Sequence, residues 1–589
     1  MSTYDRMAGR GTRLLNRFYA WRARSQPAAT GFVSQPEPRT IGSFARGRQL
    51  VAGNLLFAGY LVESPDTGLW EVSAPDAAFD AERHGFAWLD DLAAVGDFKA
   101  RAKAQRWVWG WIEQHGRGSG LAWLPDLTGR RVIRWINHAL FLLSGKEQEE
   151  TEAFYGSLAQ QTWYLSQRWQ GAAPGLPRFE ALCGLIYAGL SLQGREELAD
   201  PAVKALAAEC ESQIDEQGGV PTRNPEELLE VFTLLTWAAA ALNEAGRAVP
   251  LAHSAAIERI APALRTLRHC DGGLARFHGG GRGLEGRLDH ALAASHVAER
   301  HADGLAMGFA RLSARRTSVI VDASMPPKGK ASNYGHASTL AFELTSGRRP
   351  LVVNCGSGEC FGVEWRRAGR ATPSHTTLCI EGHSSARLAS PNKTTGHEEL
   401  IEAPDDVPLE VSDLADGYRF QGAHNGYAAH FGLTHARTLD LSFDGRALSG
   451  EDMLVALDDS AKRQFNSVRG ASPDGGIGFD IRLHLHPEVD TALDLGGSAV
   501  SMALKSGEIW VFRHDGTCKL SLEPSVYLEK TRLKPRAAKQ IVLSGRAMEY
   551  ATRVRWTLSK AQETAVAVRD LNRDEPETFD SAFKGPALP

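Results

Sequence analysis

The sequence predicts a multidomain α + β protein in which antiparallel helical hairpins precede a large antiparallel β-sandwich. Two observations carry this expectation. Apolar residues recur with a helical period up to about residue 312, and beyond that point the period falls towards two. The length, 589 residues, allows two to four domains at about 150 residues each. The expected division is a flexible basic tail over 1–50, a helical domain over 51–311, a sandwich over 312–565 and a loose C-terminal tail over 566–589.

The first 50 residues hold nine arginines and two acids, without the apolar core and cleavage site of a secretory signal. They read as a frayed tail or as an arm that touches acidic lipid or polymer. Residues 131–143 place Val132, Trp135, Ile136, Ala139, Leu140 and Leu143 on one helical face, and Gly145 stops the run. Residues 178–192 repeat the pattern, ending at Gly194. Asn224-Pro225-Glu226-Glu227 has the form of a capping box, with Pro at the first helical position, and Gly246 ends that helix. A further helix is expected over 251–267, kinked at Pro262. Short links between successive helices favour antiparallel hairpins.

In the second half, Thr317–Val321, Thr339–Leu344, Leu351–Val353, Thr377–Ile380 and Leu483–His486 read as strands. Asn425-Gly426 and Asp444-Gly445 are hairpin dipeptides.

Composition narrows the function. Hydrophobic residues at 43% and charged residues at 23% exclude wholesale disorder, collagen and coiled coil. Lys plus Arg (66) nearly balance Asp plus Glu (70), so no global charge drives the chain to nucleic acid. Seven cysteines without a C-x-x-C exclude a disulfide framework and a zinc ribbon. No run of ~18 apolar residues predicts a membrane span.

Ten of the 14 tryptophans fall within residues 1–169; core packing explains them better than a sugar-stacking groove. Phe277-His278-Gly279-Gly280-Gly281 is similar to an esterase oxyanion loop, but no G-x-S-x-G elbow supplies a nucleophile, so a plain glycine-rich connection is expected. His484 and His486 share a strand face and, without a third ligand, are expected on the sandwich surface.

The segment 333–388 is the richest in chemistry. His336 leads into one strand and His375 into another, with Arg366, Arg367 and Arg370 between them. Two histidines and three arginines at strand mouths suit a polar cleft for a polyanionic carboxylate. His424 and Tyr427 flank the Asn425-Gly426 turn and are further cleft candidates.

The run His336–Leu344, the turn Pro350–Gly356 and the run Trp365–Leu378 together resemble the signature of the heparinase II/III-like C-terminal domain. The helical half resembles the alphaproteobacterial members through Gly194, Arg223-Asn224-Pro225 and Arg268-His269-Cys270-Asp271-Gly272. The resemblance covers roughly residues 50–560. It implies an (α/α) toroid followed by an antiparallel β-sandwich, and polysaccharide lyase chemistry on uronate-containing glycans in the cell envelope or periplasm. With no visible signal peptide, the cytoplasm is the alternative compartment. β-Elimination needs a base for the C5 proton, an acid for the leaving oxygen and a cation or donor for the carboxylate.

Carried over by position, the family's His-x-His-Ala-Asp becomes Tyr334, His336 and Ser338. Members with a structural zinc use positions that fall here on His336, Asn354 and His375. Asn is a poorer zinc ligand than Asp, so no cofactor is expected to be required, with a structural zinc on His336, Asn354 and His375 as the alternative. The carboxylate-neutralising Asn or His is missing near Pro177-Arg178, and the helical Tyr is missing near Glu227. His336 and Tyr334 are therefore the expected proton-transfer pair. Arg178, Arg223 and Arg370 are the expected carboxylate binders, and Asn224 is a further expected substrate-binding residue, with an N-cap as its structural explanation. The resulting expectation is a lyase acting on an acidic polysaccharide. The alternatives are a degenerate lyase fold that binds such a polymer, or an (α/α) glycoside hydrolase using Glu227 and Asp289. The oligomeric state stays open.

Overall fold

A computed structural model describes residues 3–33, 38–118, 120–298, 300–393 and 395–561. The chain forms two compact units that interleave along the sequence. One holds Met1–Glu216, Leu229–Ala261 and Gly286–Ala298; the other holds Gln217–Leu228, Pro262–Glu285 and Glu299–Pro589. The change of period near 312 is real, since the first sandwich strand is Phe309–Ala314. A single boundary at 311/312 is not, because segments before it belong to the second unit. The expected C-terminal tail, 566–589, lies outside the described residues.

The first unit is helical. The expected tail over 1–50 instead carries the helices Thr3–Ala23 and Phe44–Ala52. The cause is local: Asn16, Ala20 and Ala23 form a buried stripe, and Ser43 caps the second helix by accepting the Arg46 N–H. Helix Pro125–Asn137 packs on Leu176–Ser191 backbone to backbone, and a Cβ on Gly184 would lie 2.4 Å from the Cα of Gly129. The helix expected over 131–143 breaks at His138, whose Nε2 lies 2.9 Å from Asp90 Oδ1. The break redirects the following turn and leaves Leu140 exposed rather than buried. Trp88, Trp107, Trp111, Trp123 and Trp135 are buried, so core packing accounts for these five, while Trp21 is exposed. Arg131 is buried among them, its guanidinium 4.0 Å from the Trp111 ring centroid and hydrogen-bonded to Gln161.

The second unit is built on two eight-stranded antiparallel sheets. In one, the order runs Leu409–Asp413, Gly417–His424, Thr434–Ser442, Ala447–Val455, Ala551–Lys560, Ile509–His514, Ala499–Ala503, Asp490–Asp494. In the other it runs Lys519–Tyr527, Arg536–Ala547, Ile477–Leu485, Arg349–Val353, Phe342–Ser346, Thr317–Asp322, Phe309–Ala314, with Leu378–Ile380 paired to Ile477–Leu485. Thr434–Ser442 alternates strictly between buried and half-buried residues, as one covered face requires. Phe342 stacks on Trp556 at 5.8 Å inside the core, and Gly450 leaves the space that the Trp556 ring fills.

Asp444-Gly445 does turn between adjacent strands, with Gly445 at φ +65°. Asn425-Gly426 does not make a two-residue hairpin, because the short helix Ala428–Phe431 intervenes before Thr434. His484 and His486 lie inside rather than on the sandwich surface. His484 Nε2 is 2.9 Å from the Pro373 carbonyl, and His486 packs its ring on Tyr527.

Candidate functional site

Within the second unit, the chain between Gly329 and His375 gathers the histidines. A 3₁₀ turn, Gly329–Tyr334, delivers His336 to the start of strand Phe342–Ser346. Helix Val363–Arg370 and the 3₁₀ turn Thr372–Ser374 deliver His375. Arg370 fastens the two segments. Its Nε donates to the Gly335 carbonyl at 2.8 Å and its Nη2 to the carbonyls of Ser332 and Glu398, both at 2.8 Å. Its own carbonyl accepts the Ala337 N–H at 2.9 Å.

The histidine rings form a chain of fixed tautomers. His375 Nδ1 faces the Ala371 carbonyl at 2.9 Å, so it carries the proton and leaves Nε2 as an acceptor. His336 Nδ1 then donates to His375 Nε2 at 3.0 Å. That leaves His336 Nε2 as an acceptor, and the Gly279 N–H fills it at 3.1 Å. The His336 backbone N–H donates to His278 Nδ1 at 3.1 Å, and His278 Nε2 lies 3.4 Å from Asp322 Oδ2. Burial disfavours imidazolium throughout: it pushes His336 well below its usual range, with His375 adding to the effect, and takes His375 down to about 4. Asp322 moves the other way for a carboxylate. Burial would raise it, but Arg223, His278 and Ser338 hold it well below the usual range.

The glycine-rich connection is part of this cluster, which its plain reading missed. The N–H of Gly279 goes to His336, that of Gly280 to the Phe277 carbonyl at 2.9 Å, and that of Gly281 to Glu226 Oε2 at 2.9 Å. No amide of the three is left to act as an oxyanion donor. Lys530 Nζ holds the same Glu226 oxygen at 2.8 Å. Asn224 caps helix Pro225–Glu244, its Oδ1 accepting the N–H of Glu226 at 3.0 Å and of Glu227 at 3.2 Å.

The expected site residues separate on this map. His336 and His375 come together. Tyr334 does not share a strand face with His336: it ends the 3₁₀ turn, and its half-exposed ring packs on His397 at 5.3 Å. Burial, with Glu359 adding, pushes its phenol up to about 12. Arg223 and Arg370 are buried on backbone carbonyls rather than open to a carboxylate; Arg223 also meets Asp322 Oδ1 at 2.7 Å. Arg178, in the first unit, is paired with Glu209 at 3.1 Å. His424 and Tyr427 are core groups, with Tyr427 Oη donating to the Leu378 carbonyl at 2.9 Å and His424 Nε2 3.3 Å from His435 Nδ1. Glu227 and Asp289 belong to different units.

The zinc triad fares no better. Asn354 turns its Oδ1 to the Thr376 N–H at 3.0 Å, and its Nδ2 lies 3.4 Å from Glu343 Oε1. Among the described residues no group of three His, Cys, Asp or Glu is placed to hold a metal ion. Two histidines that already share a hydrogen bond and one engaged amide do not fit zinc.

A family model described as "Heparinase II/III-like, C-terminal" matches residues 297–557. The chain is 30% identical over 546 residues to "FtsZ-localized protein C" of Caulobacter vibrioides, covering 91% of each. Among solved structures it resembles Heparinase III, at 13% identity and a TM-score of 0.65, over 93% of this chain and 89% of that one. It also resembles heparan sulfate lyase HepC from Pedobacter heparinus, at 14% identity and a TM-score of 0.53, over 93% and 88%. At such identities the likeness is one of fold, a helical toroid with a β-sandwich.

Proposed function

The chain belongs to the heparinase II/III-like family, and from that premise we propose that it is a member that has kept the lyase fold, lost β-elimination and works where FtsZ assembles. The observation that carries the loss of chemistry is His336. The residue is 2% exposed, and both ring nitrogens are already used by His375 and Gly279. A general base needs a free lone pair within reach of the C5 proton. The phenol expected beside it sits on a different partner, and the arginines expected to neutralise a uronate are spent on carbonyls and on Glu209. The localisation is proposed from the name of the Caulobacter relative, which matches this chain over nearly its whole length. In this reading hydrogen bonds do at His336 and His375 what an ion would otherwise do, and metal analysis of the purified protein finds zinc well below one equivalent.

The purified protein, incubated with heparan sulfate and other uronate polysaccharides, is expected to give no new ultraviolet absorbance from unsaturated uronate ends. New absorbance that His336→Ala abolishes would overturn the reading. A fluorescent fusion is expected to coincide with FtsZ in cells; a distribution indifferent to FtsZ removes that half of the proposal. A working lyase is the second reading. It requires the Gly279 N–H to leave His336 Nε2, a movement that three successive glycines permit. The same absorbance assay decides between them.

A further inference from the structure

Strand Leu409–Asp413 lies at one edge of its eight-stranded sheet, paired on one side to Gly417–His424. The pairing runs unbroken from Leu409 with Gly422 to Asp413 with Tyr418. The Leu414 N–H donates to the Gly417 carbonyl at 2.8 Å, and the Ala423 N–H to the Pro408 carbonyl at 3.0 Å. Hydrogen-bonded pairs alternate along an antiparallel ladder, so residues 408, 410, 412 and 414 face the neighbouring strand. Leu409, Val411 and Asp413 therefore turn N–H and C=O outward. The side chains of Leu409 and Val411 stand on the core face, opposite Gly422 and the buried Phe420, yet they are 36% and 46% exposed. The cause is an overhang. The last strand of the other sheet, Phe309–Ala314, packs beneath Gly417–His424 and Thr434–Ser442, and the edge strand reaches past it. Tyr418, its ring edge-on to the exposed Phe443 at 5.0 Å, continues the apolar stripe.

A bare edge with an apolar flank is a template for one more strand. Charge decides which. From Ala403 to Tyr418 the chain carries Asp405, Asp406, Glu410, Asp413 and Asp416, all exposed, and no basic residue. A second copy of this edge would set these acids against one another, whereas a basic strand meets them with opposite charge. We propose that Leu409–Asp413 is a docking edge for an extended segment of a partner protein in which lysine or arginine alternates with apolar residues. The partner's backbone completes the outward N–H and C=O groups of Leu409, Val411 and Asp413. Its apolar side chains cover Leu409 and Val411 on the core face, and its basic ones meet Glu410 on the other. The edge does not depend on whether the cluster at His336 turns over a glycan.

The test uses the full chain and two labelled, end-blocked peptides, one of alternating lysine and valine and one of alternating glutamate and valine. Fluorescence anisotropy is expected to show binding of the lysine peptide and at least tenfold weaker binding of the glutamate peptide. Hydrogen exchange is expected to slow on binding at the amides of Leu409, Val411 and Asp413, while those of Glu410 and Ser412, already in the ladder, change little. Val411→Pro removes one outward N–H without touching the ladder and is expected to weaken binding at least tenfold at an unchanged melting temperature. Glu410→Lys with Asp413→Lys is expected to transfer the preference to the glutamate peptide, which a strand merely damaged by substitution would not do. No binding, equal binding of both peptides, or protection that appears elsewhere overturns the proposal. So does a concentration-dependent dimer that Val411→Pro dissolves, since the edge would then join copies of this chain. Exchange at the three amides that is slow in the free chain and quickens when residues 562–589 are removed overturns it too, because the chain would then cover its own edge.

Discussion

His336 joins a donor and an acceptor that would otherwise be buried without partners. Removing the ring leaves the Gly279 N–H and His375 Nε2 unsatisfied, and it opens a cavity among His278, His375 and Arg370. His336→Ala is therefore expected to lower unfolding free energy by about 2–4 kcal/mol, read from urea denaturation. A ring needed only for catalysis would give a smaller loss. The ion pair of Asp322 with Arg223 follows the same logic more strongly. Asp322 accepts from Ser338 at 2.6 Å and meets Arg223 at 2.7 Å, with both residues buried. Asp322→Asn leaves the Arg223 guanidinium without its counter-charge and is expected to cost about 3–5 kcal/mol in the same measurement. The sequence makes His336 and His375 visible as histidines beside strands. It does not show that Gly279, 57 residues away from His336, closes the ring's last lone pair, because no spacing rule links a glycine amide to a distant imidazole.

At the scale of elements, the glycine-rich connection is fitted to the helix it precedes in space. A Cβ on Gly280 would lie 2.5 Å from Asn224 Oδ1, the atom that caps helix Pro225–Glu244. Gly280→Ala must push the cap aside, and Asn224→Ala deletes it. Each is expected to cost about 1–2 kcal/mol, and the pair together clearly less than their sum, as a double-mutant cycle of urea midpoints would show. The capping motif was readable from Asn224-Pro225 because it is local. The break at His138 was not, since it depends on Asp90, which is 48 residues away in sequence. The short helix Ala428–Phe431 likewise defeats the Asn-Gly hairpin signal, because burial of Phe431 in the sandwich core outweighs the preference of the dipeptide. Periodicity located individual elements such as helix Leu176–Ser191 and strand Thr317–Asp322; long-range polar contacts set their exact ends and the places where they bend.

Across the whole molecule, burial keeps histidine neutral at many sites, and this sets how the protein meets acid. His84 is taken down to about 2, first by burial and then by His115; His375 and His484 are taken down to about 4, chiefly by burial. In the unfolded chain each titrates near 6.5. Between pH 6.5 and the folded values the unfolded state binds more protons, so stability is full above 6.5 and falls as pH falls. From pH 6.5 to 5 each of the three withdraws about 2 kcal/mol. Asp91 opposes them. Burial raises it to about 6, so it returns stability as pH falls from 6 towards its unfolded value, about 1.4 kcal/mol by pH 5. The histidines outnumber it, and His278, His336, His424 and His435 are shifted the same way. The melting temperature is expected to fall steeply between pH 6.5 and 5, when a protein stabilised mainly by exposed ion pairs would change little. His484→Gln removes one titrating group whose contacts, to Ser525 and the Pro373 carbonyl, an amide can still make. It is expected to flatten the slope in that window while costing stability at pH 8. A melting temperature flat from pH 8 to 5 would mean that these histidines are not held neutral, and the fixed tautomers that close His336 to substrate would lose their basis.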